Sequence, residues 1–155
     1  MKTRYVLGMI AVLIIATATC AYAAEHTIGD GYKFTMLDGY TMTEQDEDCM
    51  VFLKDADPDY VITVSADTEP ISESELVSLL ENDSYDVLDN KTIQYNGKDL
   101  IMVHYLDGDS QVYEYDWIIN ETYAIYVVYE CPAKDPETDW LTSPGKKIFD
   151  SIHMK

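Results

Sequence analysis

Arginine is almost absent from this chain. It occurs once, at Arg4, and the 10 Lys and Arg residues face 29 Asp and Glu, for a formal charge of −19. Phosphate recognition draws on the forked guanidinium, and nucleic-acid binders carry a basic stripe. Nucleic acid and anionic membrane surfaces are therefore excluded as partners. The three cysteines are widely separated, no HExxH or paired-ligand spacing occurs, and no zinc site is visible. The GxSxG elbow, the phosphate loop and the dinucleotide fingerprint are missing too. There is no internal repeat, no low-complexity tract and no second-domain boundary, and nothing calls for a cofactor. The acidity itself is accounted for by solubility outside the cell or by a saline medium, with cation binding or a basic partner as the alternatives.

The one long apolar run lies at the N-terminus. Lys2 and Arg4 precede Val6 to Ala18, and Ala21-Tyr22-Ala23 forms a small-x-small cleavage site, the anatomy of a secretory signal peptide over residues 1–23. The run is roughly a dozen residues, short for a spanning helix, which needs about 20. The membrane would be reached only through an uncleaved signal or through a lipid on Cys20, for which Thr19 is a poor preceding residue. The expected location is secreted or extracytoplasmic, with cell-surface association as a variant. Cleavage after Ala23 takes the 10 basic residues to 8 against 29 acidic ones and moves the charge from −19 to −21. Residues 24–30 then read as a linker and 31–155 as a single domain.

Within that domain, residues 96–130 read as three antiparallel strands. Leu100 to Leu106 is apolar apart from His104, and Tyr123 to Tyr129 is β-branched, aromatic or small. Asp107-Gly108 supplies a strong turn and Asn120-Glu121 a weaker one. With two-residue turns at both places, Tyr113, Tyr115, Trp117 and Tyr126 share a face with Leu100, Met102 and Val128. Glu114 and Asp116 fall on the other face with Ile101, Val103, Val112, Val127 and Tyr129. A one-residue slip would exchange these faces.

Further strands are expected at Tyr32 to Met36, Cys49 to Lys54 and Tyr60 to Ser65, and over the second half of Tyr85 to Tyr95. Glu44 to Asp48 reads as an acidic loop, and DADPD at Asp55 to Asp59 as a polar loop whose Pro58 interrupts any strand. Ser72 with Glu75 makes a capping box, and Leu76, Leu79 and Leu80 give a helix ending at Asn82. A second helix starts at Ser143-Pro144 and shows Ile148, Phe149 and Ile152 on one face. Strands, helix, strands, helix without strict alternation implies an α+β fold, mainly antiparallel sheet with helices packed on its faces.

Gly31-Tyr32-Lys33-Phe34, Asp38-Gly39-Tyr40, Asn96-Gly97-Lys98, the hairpin ending at Asn120 and the closing Ile148-Phe149-Asp150-Ser151-Ile152 are together similar to the PsbP-like group of exported domains. The resemblance covers residues 31 to 155. It implies an α/β/α sandwich and a non-catalytic extracytoplasmic domain that acts by binding or accessory contact, and it brings no catalytic residues with it.

The candidate site residues follow. The aromatic set Tyr113, Tyr115, Trp117 and Tyr126 suits sugars, flat ligands or a protein interface if its face is bare, and core packing if it is covered. Glu114 and Asp116 on one strand face are the pattern a small extracellular hydrolase would use for acid–base work. Asp55, Asp57 and Asp59 have the 1-3-5 spacing of a calcium loop, the basis for a cation-dependent adhesion module, though Tyr60 and Ala66 stand where an EF-hand needs Gly and Glu. His26, His104 and His153 are scattered, with His104 read as a half-buried strand residue. Cys49 and Cys131 could form one disulfide, closing a loop of about 80 residues and worth roughly 4 kcal/mol, or remain two free thiols. Asn82, Asn90 and Asn120 each begin an N-x-Ser/Thr sequon, three of the four asparagines in the chain. The function expected on these grounds is an exported, non-enzymatic domain with a binding or accessory role toward an unidentified protein or small ligand.

Overall fold

The computed structural model describes residues 24–136 and 139–154, so the leader expected at 1–23 lies outside the described residues. Seven strands form one antiparallel sheet in the order β3-β4-β5-β9-β8-β7-β6. They are β3 (Tyr40–Gln45), β4 (Cys49–Lys54), β5 (Asp57–Asp67), β6 (Asp86–Tyr95), β7 (Lys98–Asp107), β8 (Ser110–Asn120) and β9 (Tyr123–Pro132). A second sheet, β1-β2-β10, joins β1 (Glu25–Ile28), β2 (Tyr32–Thr35) and β10 (His153–Met154). Helix α1 (Glu73–Asn82) lies on one face of the large sheet; α2 (Pro144–Asp150) and the small sheet lie on the other. This is the α+β sandwich that the order of elements implied.

Local chemistry explains the boundaries. The Ser72 hydroxyl accepts from the Glu75 amide while the Glu75 carboxylate accepts from the Ser72 amide, closing the capping box that starts α1. Ser143 accepts from the Lys146 amide and Pro144 sits at the first helical position of α2. Asn96 and Gly97, with φ of 52° and 74°, make the β6–β7 turn, the signs a type I′ hairpin requires.

Three expectations are corrected. Residues 25–28, read as linker, are a strand paired in register with β2, Glu25 opposite Thr35 and Ile28 opposite Tyr32. The polar loop expected at Asp55–Asp59 is shorter, because β5 begins at Asp57 and includes Pro58. The ladder passes from the Lys54–Asp57 pair to the Leu53–Val61 pair, so Pro58 lies in a bulge where no amide is needed. The acidic loop at Glu44–Asp48 loses Glu44 and Gln45 to β3.

The meander carries the most consequential correction. Asp107 pairs with Ser110, so the turn is Gly108-Asp109, one residue on from the expected one; the register moves by two, Leu100 pairing with Trp117 and Met102 with Tyr115, and the faces are kept. Between β8 and β9 the turn is Glu121-Thr122 and a bulge follows Ile118, which shifts the register by one. Tyr113, Tyr115 and Trp117 therefore pair with Tyr129, Val127 and Ile125, while Asp116 pairs with Tyr126 and Glu114 with Val128. Tyr126 and Val128 belong to the face of the acids.

Candidate functional site

The aromatic face is the main core. Tyr113 and Tyr115 are each 1% exposed. The Tyr115 hydroxyl donates to the Trp140 carbonyl at 2.9 Å and shares a hydrogen bond with Ser143, and the Tyr113 hydroxyl donates to Gln111 at 3.0 Å. His104, expected half-buried, is fully buried and stacks on Tyr113 at 4.2 Å. Trp117 is half-buried and meets Phe149 of α2 edge to face at 5.8 Å. Three of the four aromatic candidates are thus packed beneath α2 and the small sheet, and Tyr126 faces the other way.

On that other side, Leu76 and Leu80 of α1 pack against Ile101, Val103, Tyr105 and Val112, with Val128 at the margin. Two rows of side chains cross the sheet there. One runs Val51, Thr63, Val128, Glu114, Val103; the next runs Cys49, Ser65, Tyr126, Asp116, Ile101. Helix α1 packs on the β6 side, and among the described elements none packs over β4, β5 and β9 on this face. Val51, Leu53, Val61, Thr63 and Val128 are accordingly half-exposed.

Glu114 and Asp116 mark the boundary between the covered and open halves. Asp116 is 0% exposed, and no N–H or O–H among the described residues reaches either of its oxygens. Its partner is Glu114. Two carboxylates hydrogen-bond each other only when one is protonated, the form that burial favours at both. Burial, followed by the neighbouring Glu114 charge, raises the Asp116 carboxyl well above its ordinary value. Burial raises Glu114 as well, partly offset by hydrogen bonds from Asp116 and from the Tyr105 hydroxyl. Tyr126 beside them is also raised, by burial and then by the Asp116 charge.

No family model matches this chain, and no curated protein matches it in sequence. Solved structures do. The solution structure of cyanobacterial PsbP (CyanoP) from Synechocystis sp. PCC 6803 superposes with a TM-score of 0.65 at 12% identity, covering 90% of this chain and 98% of that one. This chain has a PsbP-like fold. A crystal structure from Bacteroides thetaiotaomicron VPI-5482 matches with a TM-score of 0.51 at 12% identity, over 83% of this chain and 47% of that one.

The remaining candidates take ordinary places on the PsbP-like frame. Asp55 accepts from the Thr41 hydroxyl and Asp57 from the Asp59 amide, and no group of three His, Cys, Asp or Glu side chains among the described residues is gathered to hold a metal. Cys49 and Cys131 are free. Cys49 lies opposite Ser65, whereas Cys131 follows Glu130, the partner of Val61. That offset of several residues is on the order of 15 Å along the strands, and a disulfide needs Cα atoms within about 7 Å. His26 stacks on Phe34 at 5.4 Å, and His153 lies on the small sheet. Asn82, Asn90 and Asn120 are all exposed. Sequence reasoning missed the open half-face, because its residues alternate with core residues along β4 and β5 and nothing in a single strand says which face a helix will cover.

Proposed function

We propose that this chain is an exported, non-enzymatic accessory domain that binds a protein partner through the open half of its sheet. The observation carrying this reading is the half-exposed set Val51, Leu53, Val61, Thr63 and Val128, which no described element covers. Acidic side chains flank it at both ends of the strands: Asp46, Glu47, Asp48 and Asp67 at one, Asp55, Asp59 and Glu130 at the other. An apolar centre with a charged rim is the ordinary anatomy of a protein interface, and this rim calls for a partner edged with Lys and Arg. The leader supports export. The fold likeness supports an accessory rather than a catalytic role. The carboxyl pair gives the hydrolase alternative little, since Asp116 has no surface a substrate could touch.

A photo-crosslinking residue placed at Thr63, and for comparison at Lys147 on the exposed side of α2, tests the reading in the producing organism. Crosslinks at position 63 to one protein, through a peptide flanked by Lys or Arg and weakened by added salt, are expected, with none at 147. Equal capture at both positions, or none at 63, refutes it. Hydrolysis of peptide, ester or glycoside substrates that disappears in Glu114→Gln or Asp116→Asn would establish the enzyme instead.

A further inference from the structure

The three sequons, two of them eight residues apart and the third 30 residues further on, meet around one helix. Asn82 is the last residue of α1 and exposed. Asn120, at the end of β8, lines the same groove as Ile71, Ser72 and Glu73, which open α1. Asn90 is exposed on β6, opposite Val103, and so stands on the side of the sheet that α1 covers. The middle sequon touches the helix as well, its Thr92 hydroxyl donating to Glu73. A helix of 10 residues is about 15 Å long, and the acceptors therefore sit at its two ends and along its flank. The fourth asparagine, Asn96, lies outside this ring in the β6–β7 turn and begins no sequon.

We infer that Asn82, Asn90 and Asn120 carry N-linked glycans that together shield α1 and the β6 edge. In the transfer, the Asn side-chain nitrogen attacks C1 of a sugar held on a lipid-linked phosphate. The C1–N bond forms as the C1–O bond to phosphate breaks, the lipid phosphate leaves with the electron pair, and the amide proton passes to a base. No oxidant or reductant is involved. The ring has work to do at this place. Strand β6 is an outer strand of the seven, with an unpaired backbone edge of the kind that templates association. Leu79 on α1 and Leu88 on β6 are 47% and 49% exposed there. A hydrated sugar at Asn90 blocks edge pairing, and those at Asn82 and Asn120 screen the helix ends. The β4–β5–β9 half of the sheet carries no sequon and stays bare. The inference stands apart from the binding role proposed above.

The test is glycopeptide mass spectrometry on the full chain recovered from the organism that makes it. Peptides containing Asn82, Asn90 and Asn120 are expected to carry sugar mass, and the peptide containing Asn96 none. Ser84→Ala, Thr92→Ala and Thr122→Ala, which spare each asparagine, should each remove one glycan from the intact mass. A chain in which any of the three asparagines is wholly unmodified, or in which the hydroxyl variants leave the mass of attached sugar unchanged, overturns the proposal.

Discussion

Replacing Gly145 by alanine probes how α2 is seated on the aromatic face. A Cβ at this position would lie 2.8 Å from Tyr129 Cβ and 3.0 Å from Tyr115 Cε2. Neither neighbour yields easily. The Tyr129 Cβ is fixed to the backbone of β9, and the Tyr115 ring is held by its hydroxyl bonds to Trp140 and Ser143. The helix must therefore lift, loosening Ile148 and Phe149, both fully buried. Overpacking of this kind costs about 1–3 kcal/mol, and the better helix propensity of alanine returns at most about 1 kcal/mol. The net expectation is a loss of about 1–2 kcal/mol, or a fall in Tm of roughly 4–8 °C for a domain of this size. Thermal unfolding of the mature chain followed by near-UV circular dichroism measures it, with exposed Lys147→Ala as the control, expected to change stability by no more than about 0.5 kcal/mol. A Gly145→Ala protein as stable as the parent, or more stable, would mean that α2 does not approach β8 and β9 as described.

Gly29 has φ of +49°, and a Cβ there would meet the Tyr123 hydroxyl at 1.9 Å and the Ala66 Cβ at 2.8 Å; Gly29→Ala should cost about 2–4 kcal/mol in urea unfolding, and no loss would free β1 from the fold. Glu114 and Asp116 have folded-state pKa values raised above the unfolded ones, so the folded chain holds more protons between the two, and stability should fall as pH rises from about 4 through the raised values. Asp116→Asn keeps a donor toward Glu114 without that ionisation; its urea midpoint at pH 7 should exceed the parent's and vary less with pH, and parallel pH profiles would refute the shared proton. Denatured without reductant, the mature chain should react at both Cys49 and Cys131 with a thiol reagent, while the native chain reacts slowly at buried Cys131; no free thiol on denaturation would restore the disulfide.

The class of the fold was legible because several local signals agreed. The capping box at Ser72–Glu75 and the start at Ser143-Pro144 are each decided by atoms within a few residues, and each sits where it was read. What went astray depended on distant partners. Glu25 to Ile28 has too short a pattern to declare a strand, and it becomes one because β2 and Gly29 bring it against Ala66 and Tyr123. Whether Cys49 and Cys131 pair was open in the sequence; both are on strands of one sheet, and register, which no composition reveals, sets them far apart as free thiols.

The candidate site shows the same division more sharply. Alternation along β8 correctly separated Tyr113, Tyr115 and Trp117 from Glu114 and Asp116, since the period of a strand is a local property. One bulge after Ile118 then moved Tyr126 across the sheet, a change of a single residue with the effect of reassigning a whole strand. The spacing of the two acids put them on one strand face but did not say what covers that face. They form the seam where α1 stops, with Asp116 fully buried at the border of the open half. Keeping such a pair in place of two aliphatic residues carries a desolvation cost. Under the binding role proposed above, a partner with a basic rim would bring positive charge beside Glu114 and relieve that cost.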